Sequence, residues 1–321
     1  MMKAVQKRYV TKHGVETLVG SLISRGGEGR VYEVQGRSYV AVKVYSKKFL
    51  DEPFRARNAE RKVEALIRLS RSLNREVRAL LALPIDALHD EDTGDFRGFT
   101  MVRYEHSVPL NQATRQLTRS GWRESRPAVA RVLQAVAEAI EALANNNIHV
   151  GDLKPDNTMV DLSNSRCRIN LIDTASLHIP GYPGDAATAA YLPSGMATSD
   201  ALRIPVRQRD AHALTVMAFE ALIGAFPFQH IGGGPTAEDD VIKGVFPYQA
   251  KLTVRDRISR RLLGPEGGPA ILSPPKGPFL KRFQLLPVSL QRTLAATLSR
   301  SGACDLMTLS NELEKLSRRP L

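Results

Sequence analysis

The spacing of the apolar residues changes about one third of the way along the chain, and this change limits the folds that are available. Before residue 104, apolar residues come in short β-branched runs separated by glycine-containing turns, the pattern of antiparallel strands. After residue 107 they recur at the spacing of amphipathic helices. Strands followed by helices are typical of an α+β protein rather than of alternating βαβ units. The sequence therefore predicts a β-rich first part and a mainly helical second part.

The predicted elements follow this division. Before the change, strands are predicted at 17–19, 31–34, 39–44, 85–88 and 98–102, with one long helix at 57–83. After it, helices are predicted at 128–144, 211–224, 290–299 and 306–317, short strands at 157–161 and 168–173, and a Pro/Gly-rich loop at 264–278.

Cysteine usage and hydropathy bear on the compartment. Cys167 and Cys304 form no C-x-x-C pair or Cys/His cluster, so neither a disulfide framework nor a structural zinc site is predicted. No apolar run reaches the roughly 18 residues of a membrane span. Residues 1–9 are basic but lack the apolar centre of a signal peptide. We therefore expect a cytoplasmic protein without a membrane span.

The formal net charge of +12 leaves two interpretations open. A basic surface keeps a protein soluble, and it also attracts acidic partners. Nucleic acid is the less favoured partner, because the basic residues are neither concentrated on one helix nor interleaved with aromatic residues. An acidic protein substrate stays open.

A glycine-rich turn lies at residues 24–32, SRGGEGRVY. It fits the pattern G-x-G-x-x-G-x-V with Ser24 in place of the first glycine. Glycines allow the backbone to approach phosphate oxygens closely and to adopt a positive φ. A hairpin turn without a ligand would look the same. The phosphate-binding candidates are Ser24, Gly26, Gly27, Gly29 and Val31.

A lysine ends the apolar run 40–43, VAVK. Its neighbours in the predicted strand direct Lys43 toward the interior, whereas a lysine at a surface would keep its ammonium in water. An inward ammonium close to a glycine-rich turn can bind phosphate oxygens.

The segment 149–157, HVGDLKPDN, carries the strongest chemical signal. Asp152 would accept the proton of a substrate hydroxyl and orient that hydroxyl. Lys154 would neutralise charge on the transferred phosphoryl group, and Asn157 would hold a metal ion.

A second acid follows at the end of a short apolar run, 171–175, LIDTA. Asp173 lies where a carboxylate could hold Mg²⁺ between phosphates. Phosphoryl transfer depends mainly on positioning and charge, so Lys43, Asn157 and Asp173 are predicted to act together on one triphosphate.

These motifs, in this order over roughly residues 15–315, resemble the protein kinase family. More narrowly, segments 26–32, 150–152, 171–173 and 242–248 look like bacterial kinases joined to helix-hairpin-helix modules or encoded near tellurite-resistance-type von Willebrand proteins. The resemblance implies a two-lobed protein kinase fold, with an N-lobe at 1–104 and a C-lobe at 105–321. It also implies ATP and Mg²⁺ as cofactors and transfer to Ser/Thr of protein substrates.

The same resemblance implies the nucleotide-binding residues. Lys43 would hold the α- and β-phosphates, and Asp210 would brace the backbone of segment 149–157. Met101 would be the gatekeeper. The adenine would lie against Val31, Ala41, Met159 and Ile172, with its edge bonded to the backbone from Val102 to Tyr104.

The resemblance also implies that an acid on the helix 57–83 pairs with Lys43, but the motifs do not directly identify which residue it is. Simple alignment puts Lys62 at the expected place, with Glu60 and Glu64 within one turn. We favour Glu60, because Val63 and Ile67 then face the core below it.

Three segments depart from the family pattern. Gly151 replaces the arginine that usually precedes the catalytic aspartate, so activation through a phosphate on that arginine is not expected. Residues 173–175 read Asp-Thr-Ala instead of Asp-Phe-Gly, and 191–195 lack the usual acid. The candidate phosphorylation sites are Thr174, Ser176, Thr188 and Tyr191.

Two other functions stay open. The departures also suit a nucleotide-binding scaffold without catalytic activity. Gly151, Asp152 and Asn157 also suit small-molecule kinases of the aminoglycoside and choline phosphotransferase type. Against the latter, Val150 stands at the place of their usual histidine, and Lys154-Pro155 is a protein kinase feature. The sequence indicates neither the physiological substrate, the trigger nor the oligomeric state.

Overall fold

The computed structural model describes residues 8–11, 14–163, 167–184, 186–229, 241–242, 244, 246–248, 274, 276–299 and 305–318. The chain divides into two compact units. Unit 1 comprises Met1–Ser107 and Asn170–Ala175, and unit 2 comprises Val108–Ile169 and Ser176–Leu321. The short second piece of unit 1 contains Asp173. This predicted metal ligand therefore belongs with the N-terminal strands and not with its neighbours in sequence.

Unit 1 is built on a closed antiparallel barrel in the order β1-β2-β3-β4-β6-β5. Each strand that the sequence predicts for this part of the chain is present, and β1 is an addition. It is only four residues long, but it pairs with both β2 and β5 and so closes the barrel. The strands are β1 (Arg8–Thr11), β2 (Glu16–Arg25), β3 (Gly29–Val34), β4 (Arg37–Tyr45), β5 (Pro84–His89) and β6 (Phe96–Val102).

From Val40 to the end, strand β4 is buried on both faces, which explains the almost continuous apolar sequence of this part. Val40 and Val42 pack into one core cluster with Leu88. Ala41 and Tyr45 point the other way, into a cluster with Phe99. Because side chains alternate along a strand, Lys43 shares the face of Ala41 and Tyr45. The strand therefore carries the lysine ammonium inward, as the sequence predicts.

The predicted helix 57–83 is wrong in its length. The structure has α1 (Lys47–Leu50), α2 (Pro53–Ser72) and α3 (Arg75–Ala79). Leu73 adopts an extended conformation, with ψ of 142°, and the side chain of Asn74 caps α3 by accepting a hydrogen bond from the backbone N–H of Val77. An asparagine at such a position favours a new helix start over continuation.

Unit 2 is mainly helical. Strand β7 pairs antiparallel with β8 in a three-stranded sheet of order β7-β8-β9, and the other elements are helices. The strands are β7 (Val108–Pro109), β8 (Thr158–Asp161) and β9 (Arg168–Leu171), of which the last two residues are assigned to unit 1. The helices are α4 (Leu110–Leu117), α5 (Trp122–Ala144), α6 (Thr198–Ala201), α7 (Val206–Ile223), α8 (Phe279–Gln284), α9 (Val288–Leu298) and α10 (Leu306–Ser317).

Helix α7 lies at the centre of unit 2. Residues 209–219 are buried without interruption, as expected for a helix surrounded by other elements. The helix ends where Gly224 adopts a left-handed φ of 85°, a common helix C-terminus. Phe219 packs near Tyr248, with ring centroids 4.8 Å apart, and Phe283 joins them.

The helices of the described residues include none that is long and apolar enough to cross a membrane. Most of the predicted loop 264–278, and Lys243 and Val245 of segment 242–248, lie outside the described residues.

Candidate active site

Lys43 and Asp173 meet in unit 1. The Lys43 ammonium donates a hydrogen bond of 2.7 Å to Oδ1 of Asp173, across 130 positions of sequence. A second carboxylate oxygen, Oε2 of Glu28, lies 3.5 Å from the same nitrogen. The structure therefore joins the strand lysine, the glycine-rich turn and the end of β9 in one charged cluster.

The cluster keeps Lys43 protonated. Burial alone would lower the pKa of Lys43, because a buried ammonium loses its hydration. The Asp173 carboxylate opposes this, with smaller contributions from Tyr45 and Glu28, and the net effect raises the pKa above its ordinary value. Lys43 is thus a buried cation paired with carboxylates, suited to binding phosphate oxygens.

The position of Asp173 is set by pairing on both sides of it. The Leu171 N–H donates to the Leu80 carbonyl at 2.7 Å, and the Thr174 hydroxyl donates to the Ala82 carbonyl at 3.2 Å. Between them Asp173 adopts a left-handed φ of 58°. Aspartate tolerates this region better than most residues. The conformation turns its carboxylate toward Lys43 instead of continuing the strand.

The glycine-rich turn joins β2 to β3, with Ser24 paired opposite Val31. The Gly26 N–H donates to the Gly29 carbonyl at 2.9 Å. None of Gly26, Gly27 and Gly29 adopts the positive φ that glycine permits. Gly29 is required for another reason, because a Cβ there would lie 2.3 Å from the Val44 carbonyl oxygen. A Cβ on Gly27 would meet nothing within 4 Å, which leaves space beside the turn.

The residues predicted to contact adenine are divided between the two units. Val31, Ala41, Met101, Tyr104 and Ile172 pack in or against one core cluster of unit 1. Val102 is more exposed, at the end of β6. Met159 belongs to β8 of unit 2.

Glu60 does not pair with Lys43 in this structure. Its Oε1 lies 2.9 Å from Nε2 of His89, on the neighbouring strand β5. The orientation of α2 is as predicted, since Val63 and Ile67 face the core. The predicted ion pair is nevertheless wrong for this conformation, because His89 takes the carboxylate and Glu28 occupies the place beside the lysine.

The segment 149–157 forms a compact network in unit 2. The Lys154 ammonium donates to Oδ2 of Asp152 at 2.7 Å. The Asn157 amide donates to the backbone carbonyl of Asp152 at 3.0 Å and to its Oδ2 at 3.2 Å. The amide nitrogen of Asn157 thus donates within the segment, and neither of these two contacts uses its amide oxygen.

Asp210 of α7 holds the backbone of this segment. Its two carboxylate oxygens accept hydrogen bonds from the N–H groups of Val150, at 2.8 Å, and Gly151, at 2.9 Å. Asp210 therefore braces this backbone, as the resemblance implies, from a position inside α7, which begins after Pro205. Burial raises the pKa of Asp210 to about 6, against the opposing effect of the two N–H donors.

Gly151 is required by the backbone and by its neighbour. It has a φ of 77°, and a Cβ there would lie 2.6 Å from Cδ2 of His178. The ring of His178 thus occupies the space that an arginine side chain at position 151 would need to leave the backbone. The departure from the family pattern has a local steric reason.

Sequence reasoning missed the role of Thr188. Its hydroxyl donates to Oδ1 of Asp152 at 2.7 Å and accepts from the Lys154 ammonium at 2.9 Å. The sequence singled it out only as one of several candidate phosphorylation sites. Two others, Thr174 and Ser176, are buried, and the hydroxyl of Tyr191 donates to Glu220 at 3.0 Å.

Comparison with known proteins gives two informative matches. No known protein-family profile matches the chain. Over 164 residues it is 29% identical to Aurora/IPL1-related protein kinase 2 of Caenorhabditis elegans, covering 49% of this chain and 50% of that protein. The chain thus spans about half the length of this curated relative. The structure of vaccinia related kinase 3 superimposes with a TM-score of 0.53 at 16% identity, over 98% of this chain and 91% of that chain.

The structural likeness shows the fold, with the mixed helix and strand content of a protein kinase. The sequence match to an Aurora-related kinase points the same way. Together they support a protein kinase family and the general class of kinase and transferase.

Proposed function

We propose that this protein transfers the γ-phosphoryl group of ATP, with Mg²⁺, to Ser or Thr hydroxyls of protein substrates, including itself. The observation that carries the proposal is the 2.7 Å contact between Lys43 and Asp173. A buried cation and an acid so far apart in sequence come together beside a glycine-rich turn. We further propose that residues 1–104 form the N-lobe and residues 105–321 the C-lobe of a protein kinase fold. We also propose that the protein belongs to the bacterial kinase group named in the sequence analysis.

The cofactor assignment follows from the donor set. Mg²⁺ prefers oxygen ligands and usually takes one or two from the protein, with phosphates and water supplying the others. The Asp173 carboxylate and the Asn157 amide oxygen would be such ligands. Mg²⁺ supplies charge neutralisation on the phosphates when it is bound. Lys43 would bind the α- and β-phosphates, and the cluster of Val31, Ala41, Met101 and Ile172 offers an apolar surface for adenine.

Residues of unit 2 would orient and deprotonate the hydroxyl group that accepts the phosphoryl group. Asp152 would accept the proton of the attacking hydroxyl, and its orientation is maintained by Lys154, Asn157 and Thr188. Lys154 would also neutralise charge on the transferred group. Lys154 resembles the catalytic loop of Ser/Thr kinases rather than that of tyrosine kinases, and Lys154-Pro155 supports a protein substrate over a small molecule. The net charge of +12 supports an acidic protein substrate, and the cysteine usage supports the cytoplasm.

Mass spectrometry of the purified protein after incubation with Mg-ATP tests this function. We expect phosphate on Ser or Thr of the protein itself or of a generic protein substrate. Stabilisation by ATP without any transfer would instead select the nucleotide-binding scaffold. Phosphorylation of an amino sugar would select the small-molecule kinase.

Thr188→Ala should lower kcat about tenfold, because Asp152 and Lys154 lose a shared hydroxyl and their geometry loosens. Thr188→Ser keeps the hydroxyl and should restore most of the rate. Steady-state kinetics on both variants, with KM for ATP measured alongside, separates positioning from nucleotide binding. Equal losses in the serine and alanine variants would show that the hydroxyl is not what matters.

A further inference from the structure

We propose that Glu28, in the glycine-rich turn, is the carboxylate that positions Lys43, in place of a glutamate from α2. The inference concerns a residue to which the sequence analysis gave no role. It rests on the proposed function in one respect only, namely that Lys43 binds the phosphates of ATP.

The Lys43 ammonium is buried and has carboxylates close to it. A buried ammonium requires an anion nearby, because its hydration is lost. Among the residues that the structure describes, two carboxylates lie within ion-pair distance of the Lys43 ammonium, Asp173 at 2.7 Å and Glu28 at 3.5 Å. Glu60 of α2 is engaged with His89 instead. The acid partners of Lys43 therefore come from the turn and from residue 173.

The backbone of Glu28 is held close to β4. Its carbonyl accepts a hydrogen bond of 2.8 Å from the N–H of Ser46, the residue that follows β4. Gly29 next to it packs so tightly on Val44 that no side chain fits there. The turn is thus held against β4, the strand that carries Lys43. From this backbone position the Glu28 side chain reaches the lysine ammonium.

Helix α2 contributes a charge of the opposite sign. Arg55, near the start of α2, places its Nη2 3.7 Å from Oε1 of Glu28, and its guanidinium lies over the Phe49 ring, 4.7 Å from the ring centroid. This pair is half-exposed and contributes little by itself. It nevertheless occupies the Glu28 oxygen that faces away from Lys43 and leaves Oε2 for the lysine.

The two carboxylates of the cluster have different tasks. Asp173 is the proposed metal ligand, and a metal ion would draw on its negative charge. Glu28 then remains as the anion dedicated to Lys43. Because Glu28 belongs to the turn that would cover the phosphates, this contact links the position of the turn to that of the lysine.

Kinetics of three variants test the proposal. Glu28→Gln keeps the shape and removes the charge, and we expect kcat to fall about tenfold to a hundredfold, with a smaller change in KM for ATP. Glu28→Asp should be intermediate. Glu33→Gln is the matched control, because Glu33 lies on the adjoining strand β3 and pairs with Arg103 at 3.0 Å, away from Lys43. A larger loss in Glu60→Gln than in Glu28→Gln would overturn the proposal.

A second measurement needs neither nucleotide nor activity. Glu28→Gln removes one of the two carboxylates that pair with the Lys43 ammonium, so an amine-acylating reagent at fixed pH should label Lys43 several-fold faster in the nucleotide-free variant than in the wild type. Labelling at the wild-type rate would show that Glu28 does not act on Lys43, whatever the protein phosphorylates. Absence of phosphotransfer in the wild type, with faster labelling in the variant, would reject the kinase proposal and retain this one.

Discussion

Asp152→Asn should reduce phosphotransfer about a thousandfold while ATP binding remains close to that of the wild type. The asparagine has nearly the same shape, and its amide oxygen can still accept from Thr188 or Lys154. It cannot accept the proton of the attacking hydroxyl. Transfer of labelled phosphate, together with ATP affinity from thermal shift, measures the two effects separately.

Asp156→Asn is the matched control for this experiment. Asp156 belongs to the same segment and is exposed, and its Oδ1 accepts a hydrogen bond of 3.2 Å from Asn111. We expect its rate to remain within about twofold of the wild type, as for most surface substitutions. If Asp152→Asn kept more than about a tenth of the activity, the general-base role would be rejected, since such a role contributes at least about a hundredfold.

Asp210→Ala should destabilise the protein by about 2 to 5 kcal/mol. The substitution leaves the buried N–H groups of Val150 and Gly151 without acceptors. Asp210→Asn should fall between the wild type and the alanine variant, because an amide oxygen accepts but its NH₂ group opposes the second donor. Urea unfolding measures the change, and Asp200→Ala on the surface of α6 serves as control. A loss no greater than that of the control would mean that water satisfies both N–H groups.

The same variant has a defined pH dependence. Burial raises the pKa of Asp210 to about 6 from its unfolded value of 3.8, so the folded state binds more protons between these values. The stability contributed by Asp210 should therefore decline as the pH rises from about 4 to about 6 and stay constant above that. The gap between wild type and Asp210→Ala should narrow over this range. A gap that widened instead would mean that the two N–H donors outweigh burial.

Local patterns predicted most elements of the fold. The alternation of β-branched residues located the strands of the barrel apart from β1, and helix α10 has the predicted bounds. The errors occur where local preference is ambiguous. A long apolar pattern hid the break at Leu73 and Asn74, because the cap on α3 depends on one side-chain hydrogen bond. Strand β1 has few apolar residues and is stabilised by pairing on both of its edges.

The candidate site residues could be recognised from the sequence, because lysine, aspartate and asparagine at these spacings have few other uses. The partners of those residues depended on tertiary structure. Which carboxylate lies beside Lys43, and which hydroxyl bonds Asp152, are set by side chains that are distant in sequence and brought together by packing. No sequence pattern therefore indicated that Glu28 and Thr188 contact these residues. The position of Glu60 on the predicted helix suggested a pairing with Lys43, but Glu60 contacts His89. Local sequence determines which groups a chain carries, whereas the balance between burial and ion pairing in the folded structure decides which of them meet.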